Sequence, residues 1–359
     1  MALDLTSTVP ANSSRLFSSR AEALRQPIGR IKFEKHNSHG YYLNSLFDPT
    51  LILYDENYST VNNYHLLETI KYLENTRDIL DNVEQIIEIG CGHGEFVQYL
   101  IDQQYKAFGF DPVLTESSEF LFNQFWSPKL ESHLGISAEK HTLYVLRCVL
   151  PHIPNPFDFL KTIFNHNPLS KVLIEFQSRE AILEKKMWTQ LSHDHVNLFS
   201  SNDFEEQFKL IASGSFSSGE WKFVLISGNE KPSIEHQIDS STYDLQSLFA
   251  QRDLDISDLI QSNKDLVIYG AAGKGIVFAY SINDLVEKSL YAYDDIDSKH
   301  GLYMECSGVQ VLSRTRFKSL IQSEVVLVVM NPAHLTHLID TYNPKTPIYI
   351  IGQGFLNDK

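Results

Sequence analysis

The segment Ser192-His193-Asp194-His195 places two imidazoles on either side of a carboxylate. Those are the residue types from which a general base and its orienter are built. The same set could ligate a metal, and a solvated polar loop is the plain alternative.

Two glycine-rich stretches lie on either side of this cluster in sequence, IIEIGCGHGEF (Ile86 to Phe96) and IYGAAGKGIVFAY (Ile268 to Tyr280). Each joins an apolar run to a helical pattern through glycines, which permit positive φ and close approach of a ligand to the backbone. In the first, Glu88 precedes Gly90, Gly92 and Gly94, and the next acid at a strand end is Asp111, where a carboxylate can accept ribose hydroxyls. That spacing fits a dinucleotide or an adenosyl ligand. The GxGxG run and the acid at Glu88, which suits a cation-bearing ligand and would repel a pyrophosphate, point to the adenosyl ligand. In the second stretch, Gly270, Ala272, Gly273, Lys274 and Gly275 form neither a Walker loop nor a regular dinucleotide fingerprint. Lys274 at a helix N-terminus suits a phosphate. Asp294 follows at a second strand end, which leaves a nicotinamide site open on spacing.

Elements that could position these residues alternate in type. Leu66, Leu67, Ile70 and Leu73 recur at helical spacing. Buried strands are expected at the first glycine turn, at Ala107 to Asp111, Leu143 to Arg147 and Lys171 to Phe176, with an antiparallel edge strand at Trp221 to Ile226. After a polar linker containing Pro232, a helix from about Tyr243 precedes a second series, with strands at DLVIYG, LYAYDD, EVVLVVMNP and PIYIIG. The expected fold class is α/β, a Rossmann-like domain followed by a smaller Rossmann-like domain. The expected division is an arm over 1–59, the first domain over 60–228, a linker over 229–242 and the second domain over 243–359. The serine- and arginine-containing N-terminal arm reads as loosely ordered.

Composition narrows the function classes. A formal net charge of -15 argues against nucleic-acid binding as the main activity. Cys91, Cys148 and Cys306 lie far apart, so neither a zinc site of usual spacing nor a disulfide framework is expected, and a reducing cytoplasm fits. No apolar run is long enough to suggest a membrane span.

EIGCGHGEF followed by FGFDP resembles the cofactor segments of class I S-adenosylmethionine-dependent methyltransferases. The resemblance places Glu88, Gly90, Gly92, Gly94, Asp111 and Pro112 along the methyl donor. LRCVLPHIPNPFDFL is similar to a further segment of that family, bringing Arg147 and His152 to the cofactor wall, with Pro151 in the usual acidic place.

LIEFQS and the His193–Ser200 region resemble nucleotide-sugar C-methyltransferases, in which the last histidine of the cluster is the proposed base. The role falls on His195, with His193, Asp194 and Glu175 matching around it and Ser192 standing where the family often has tyrosine. YGAAGKG, the Asp294–Ser313 stretch and the VVMNP strand end resemble the C-terminal domain of the same family. There Gly270, Ala272, Lys274, Gly275, Asp294 and Asn331 would face a nucleotide-sugar. The family's cysteine-rich zinc module is replaced by a cysteine-free segment whose Tyr54 and Tyr58 could line the cleft, so no metal is expected. The resemblance implies methylation of a keto-sugar carbon through an enolate made by His195. An O- or N-methyltransferase, an inactive sugar-nucleotide-binding relative and an NAD-linked enzyme are the rivals.

Overall fold

A computed structural model describes residues 6–36, 39–55, 57–58, 63–75, 80, 82–228 and 245–356. The expected linker over 229–242 lies outside the described residues. The larger sheet has the order Lys209–Phe216, Trp221–Ser227, Lys171–Gln177, Thr142–Arg147, Gln85–Ile89, Ala107–Phe110, Leu121–Phe122. Its strands are parallel except Trp221–Ser227, which runs antiparallel to both neighbours. Every residue of Gln85–Ile89 is buried, as expected for a central strand covered on both faces. From that strand the chain builds outward through Ala107–Phe110, then crosses to the other flank at Thr142–Arg147. The order reverses beside Gly90, where open α/β sheets bind ligands beyond the carboxyl ends of their strands.

Trp221–Ser227 is antiparallel but not at the edge, because Lys209–Phe216 pairs outside it. The outer strand alternates exposed and half-buried residues through Ala212, Ser213, Gly214 and Ser215, so its composition reads as a turn. Its pairing partner, not its own propensity, makes it a strand.

The smaller sheet has the order Leu290–Tyr293, Asp265–Tyr269, Val325–Val329, Ile348–Ile350, Gly354–Phe355, and only the last strand is antiparallel. It too reverses beside its glycine turn. One hydrophobic cluster joins the two units: Ile182, Trp188 and Leu191 pack with Leu248, Ile256, Ile276 and Phe278. Across the same seam the fully buried Asp255 accepts hydrogen bonds from Trp188 Nε1 (2.8 Å), Gln251 Nε2 (2.8 Å), the Tyr349 hydroxyl (3.0 Å) and the Gly352 N–H (3.0 Å). Four donors satisfy a carboxylate that burial alone would make costly.

The N-terminal arm is not loose. Ser7–Pro10 pairs with Ile28–Ile31, and Leu16–Phe17 pairs with Tyr303–Met304 of the smaller unit. Asn12, Ser13 and Arg15 are buried, and Arg15 is ion-paired to Asp55. Asn12, Ser13 and Arg15 are satisfied by partners distant in sequence, whereas Arg20, Arg25 and Arg30 stay exposed.

Candidate active site

Both glycine turns and His195 open onto one cavity of about 1270 Å³. At the first turn, Gly90 and Gly94 have φ of +75° and +90°, conformations that favour glycine. A Cβ on Gly90 would lie 2.2 Å from Val149 Cγ2. Asp111, reaching from the neighbouring strand end, accepts the Gly92 N–H at Oδ2 (2.8 Å) and the Val113 N–H at Oδ1 (2.9 Å). Each carboxylate oxygen keeps a lone pair for another donor. Burial raises the pKa of Asp111 and these two backbone bonds oppose the rise. Gly90, Gly92, Asp111 and Pro112 line the cavity, whereas Gly94 lies beneath it as the helix cap of Glu95–Asp102.

Glu88 is fully buried behind the wall rather than on it. The cation expected opposite it is the chain's own Arg147, whose Nε donates to Glu88 Oε1 at 2.7 Å. Oε2 of Glu88 has no hydrogen-bond partner among the described residues. Arg147 lines the cavity and lies over the Phe96 ring.

The histidine cluster divides. His195 faces the cavity and donates its Nδ1–H to the Gln190 carbonyl (3.2 Å), which leaves Nε2 as the basic lone pair. His152 is set in the same way: its Nδ1–H donates to the Asp194 carbonyl at 2.8 Å, and its ring centroid lies 4.8 Å from that of His195. Burial, followed by the proximity of His195, pulls the pKa of His152 down to about 4, so it is neutral at neutral pH.

His193 lies away from the cavity, with Nδ1–H donating to the Arg30 carbonyl (2.8 Å) and Nε2 accepting the Asp48 N–H (3.1 Å). Both nitrogens are engaged in holding the N-terminal segment, so His193 is structural and the triplet is not a metal site. Asp194 lines the cavity but does not orient an imidazole through its carboxylate. That carboxylate accepts from the Ser13 N–H (3.1 Å), Ser13 Oγ (3.1 Å) and Ser192 Oγ (2.7 Å). Burial pushes its pKa up, but His195, His152 and these hydrogen bonds prevail and the net shift is downward. Glu175 is likewise displaced from the reacting space. It is fully buried below the cavity and accepts from Thr69 Oγ1 (3.0 Å) and Cys148 Sγ (3.4 Å).

At the second turn, Gly270, Ala272, Lys274, Asp294 and Asn331 line the cavity. Gly275 does not; a Cβ there would lie 1.9 Å from the Gly270 carbonyl oxygen. Lys274, expected as a free charge for a phosphate, is ion-paired with Glu220. Asp294 Oδ2 accepts from the Ala271 N–H (3.1 Å) and from Lys299 Nζ (3.0 Å). Tyr54 and Tyr58 stand in the wall with ring centroids 5.2 Å apart, and Phe125 meets Tyr54 edge-on at 5.9 Å. Burial raises the pKa of both tyrosines.

Several wall residues escape a local reading of the sequence. Glu220 sits in a turn-rich stretch and Ser13 in the arm, and neither carries a motif. Phe125 and Trp126 lie between Asp111 and Leu143, and their adjacency as an aromatic pair is the local signal they carry.

Residues 54–211 match the family model of a methyltransferase domain. This segment is a class I S-adenosylmethionine-dependent methyltransferase domain, and S-adenosylmethionine is its cofactor. No curated protein matches the chain. Among solved structures, the chain is similar to magnesium protoporphyrin IX methyltransferase from Synechocystis, at 12% identity over 47% of this chain and 89% of that one, with a TM-score of 0.32. It is also similar to a SAM-dependent methyltransferase from Archaeoglobus fulgidus (11% identity, 45% and 93% covered, TM-score 0.33) and to a Pyrococcus horikoshii protein (12%, 47% and 93%, 0.31). No described helix is long and apolar enough to cross a membrane.

Proposed function

We propose that the protein methylates a carbon of a nucleotide-linked keto-deoxysugar, with His195 as the base. One observation carries the reading: the Nε2 of His195, without a hydrogen-bond partner among the described residues, belongs to the same cavity as the first glycine turn, with room beyond it for an acceptor. A cavity of about 1270 Å³ exceeds the roughly 300–1,000 Å³ of ordinary ligand pockets. The nucleotide part of the acceptor rests on the sequence resemblance.

The residues at the first turn suit the methyl donor. Asp111 has lone pairs to spare for ribose hydroxyls, and Gly90 and Gly92 bring bare backbone to the wall. Bound S-adenosylmethionine supplies an electrophilic methyl group on a positively charged sulfur.

His195 Nε2 takes the proton from the carbon next to the acceptor's ketone, and the C–H electrons become the enolate. S-adenosylmethionine held at Asp111, Gly90 and Gly92 would supply the methyl group that the enolate carbon accepts, and would leave as S-adenosylhomocysteine. The proton then passes from His195 to solvent. His152, being neutral, does not oppose the charge that His195 acquires, and the ionised Asp194 favours it. In-line placement of carbon, methyl and sulfur is the proximity effect that such a wall would have to supply.

A panel of nucleotide-linked 4-keto sugars with methyl-labelled S-adenosylmethionine tests the reading, NMR locating the new methyl. His195→Ala should lower turnover by about 10²–10⁴-fold while donor binding persists. Full turnover in that variant would remove the base assignment.

O- or N-methylation of a sugar-like molecule is a second reading, favoured by the acceptor side of the cavity. There Glu220 and Asp294 each pair with a lysine and Asp295 adds a further acid, a wall better suited to hydroxyls or amines than to phosphates. A methyl found on oxygen or nitrogen would decide for it.

A further inference from the structure

The second glycine turn carries the sequence marks of an anion cradle, yet the Lys274 ammonium and the N–H groups of Gly270, Ala271, Gly273 and Gly275 are already committed inside the protein. Two lines of contact run from it to the loop that carries His195. Along the first, Lys274 pairs with Glu220 Oε1, the same oxygen accepts from Gln190 Nε2 at 3.4 Å, and the Gln190 carbonyl receives the His195 Nδ1–H at 3.2 Å. Along the second, the Gly273 N–H donates to the Ser13 carbonyl at 2.6 Å, and the N–H and hydroxyl of Ser13 both donate to the carboxylate of Asp194, the residue before His195. The loop is therefore gripped at Gln190 and at Asp194, on either side of the bond that sets the tautomer of His195.

The ion pair is well removed from solvent, with side-chain exposures of 13% for Lys274 and 4% for Glu220. A buried pair of this kind is poor evidence for stability but well suited to fixing one arrangement. The turn that bears it is tightly packed, since a Cβ on Gly275 would strike the Gly270 carbonyl.

We propose that Lys274 and Glu220 are positioning residues that fix His195 through Gln190, so that the second glycine turn is wired to the base and not to a phosphate of the acceptor. The proposal rests on the reading of His195 as the base.

The test uses the full-length protein labelled with ¹⁵N-histidine, with the His195 signals assigned by comparison with His195→Ala. Lys274→Met should move the His195 signals away from the Nδ1–H tautomer, because Glu220 is left without its counter-charge. Lys274→Arg should keep them in place. The double variant Lys274→Met/Glu220→Gln should restore them, because the neutral amide oxygen it introduces can still accept from Gln190 and no lone charge remains buried. That variant also covers the case in which Lys274→Met alone fails to fold. Calorimetric titration with inorganic pyrophosphate supplies the opposing arm: the wild type and Lys274→Met should both show no specific binding.

Unchanged His195 signals in folded Lys274→Met, or pyrophosphate binding by the wild type that Lys274→Met abolishes, would overturn the proposal. Failure of the double variant to restore the signals would also overturn it. None of these measurements requires an acceptor. A methyl found on oxygen or nitrogen would end the C-methylation reading and leave this one standing.

Discussion

The two glycine turns are built on one plan and put to different uses. In each, a parallel strand at a topological reversal ends in glycines of positive φ, and an acid from the neighbouring strand end accepts a backbone N–H of the turn: Asp111 from Gly92, Asp294 from Ala271. The difference lies in what remains uncommitted. Asp111 has no ion pair among the described residues, whereas Asp294 is paired with Lys299, and Lys274 with Glu220. The N–H of Gly273 is spent on the Ser13 carbonyl. A glycine turn therefore signals where a backbone can be approached. Whether anything approaches it depends on partners supplied by distant segments.

The strongest way to break this comparison is to remove the two acids in turn. Asp111→Ala should weaken S-adenosylmethionine binding by about 10–100-fold, corresponding to the roughly 1.5–3 kcal/mol of hydrogen bonds to a charged group. Asp294→Ala should leave that affinity within about 2-fold. Calorimetry measures both, and equal losses would erase the distinction.

Next in size is a methyl group added to each turn. Gly275→Ala should lower folding stability by about 1–3 kcal/mol through the clash with the Gly270 carbonyl, with donor affinity of the folded protein unchanged. Gly90→Ala, in positive-φ backbone that faces the cavity, should lose donor affinity as well as stability. Denaturant unfolding with parallel calorimetry separates the two effects.

The smallest effect concerns His152, beside the first turn. Its folded pKa of about 4 lies below its ordinary 6.5, so on acidification the unfolded chain takes up the proton first. Stability from this group is full above about pH 6.5 and is lost as pH falls towards 4. Replacing His152 with Gln should flatten the denaturation midpoint over that window, relative to wild type.

Much of the α/β layout could be read from local pattern, because buried parallel strands are continuous apolar runs and their turns are marked by glycine. Val325–Val329 and Gln85–Ile89 announce themselves in this way. Lys209–Phe216 does not, since its serines and glycine become a strand only against Trp221–Ser227. The site follows the same rule. Asp111 and His195 sit near motifs, but the spacing of the cluster and the family resemblance group His193 with His195 although the fold separates them. Backbone direction turns His193 towards Arg30 and Asp48 instead. Glu220, Gln190 and Ser13 matter through side-chain pairings across the fold, for which a single sequence carries no mark.

The pairing of Leu16–Phe17 with Tyr303–Met304 bears on the order of assembly during synthesis. Contacts this distant along a chain form late, and a growing polypeptide exposes its N-terminal end first. Leu16–Phe17 is made before its partner and must wait, unpaired, until Tyr303–Met304 has been synthesised. Ser13, part of the cavity wall, is anchored by Asp194 and Gly273, both of which emerge long after it. The nascent chain can shape the larger sheet early, but the chamber around His195 closes only after Gly273 and Tyr303–Met304 have been made.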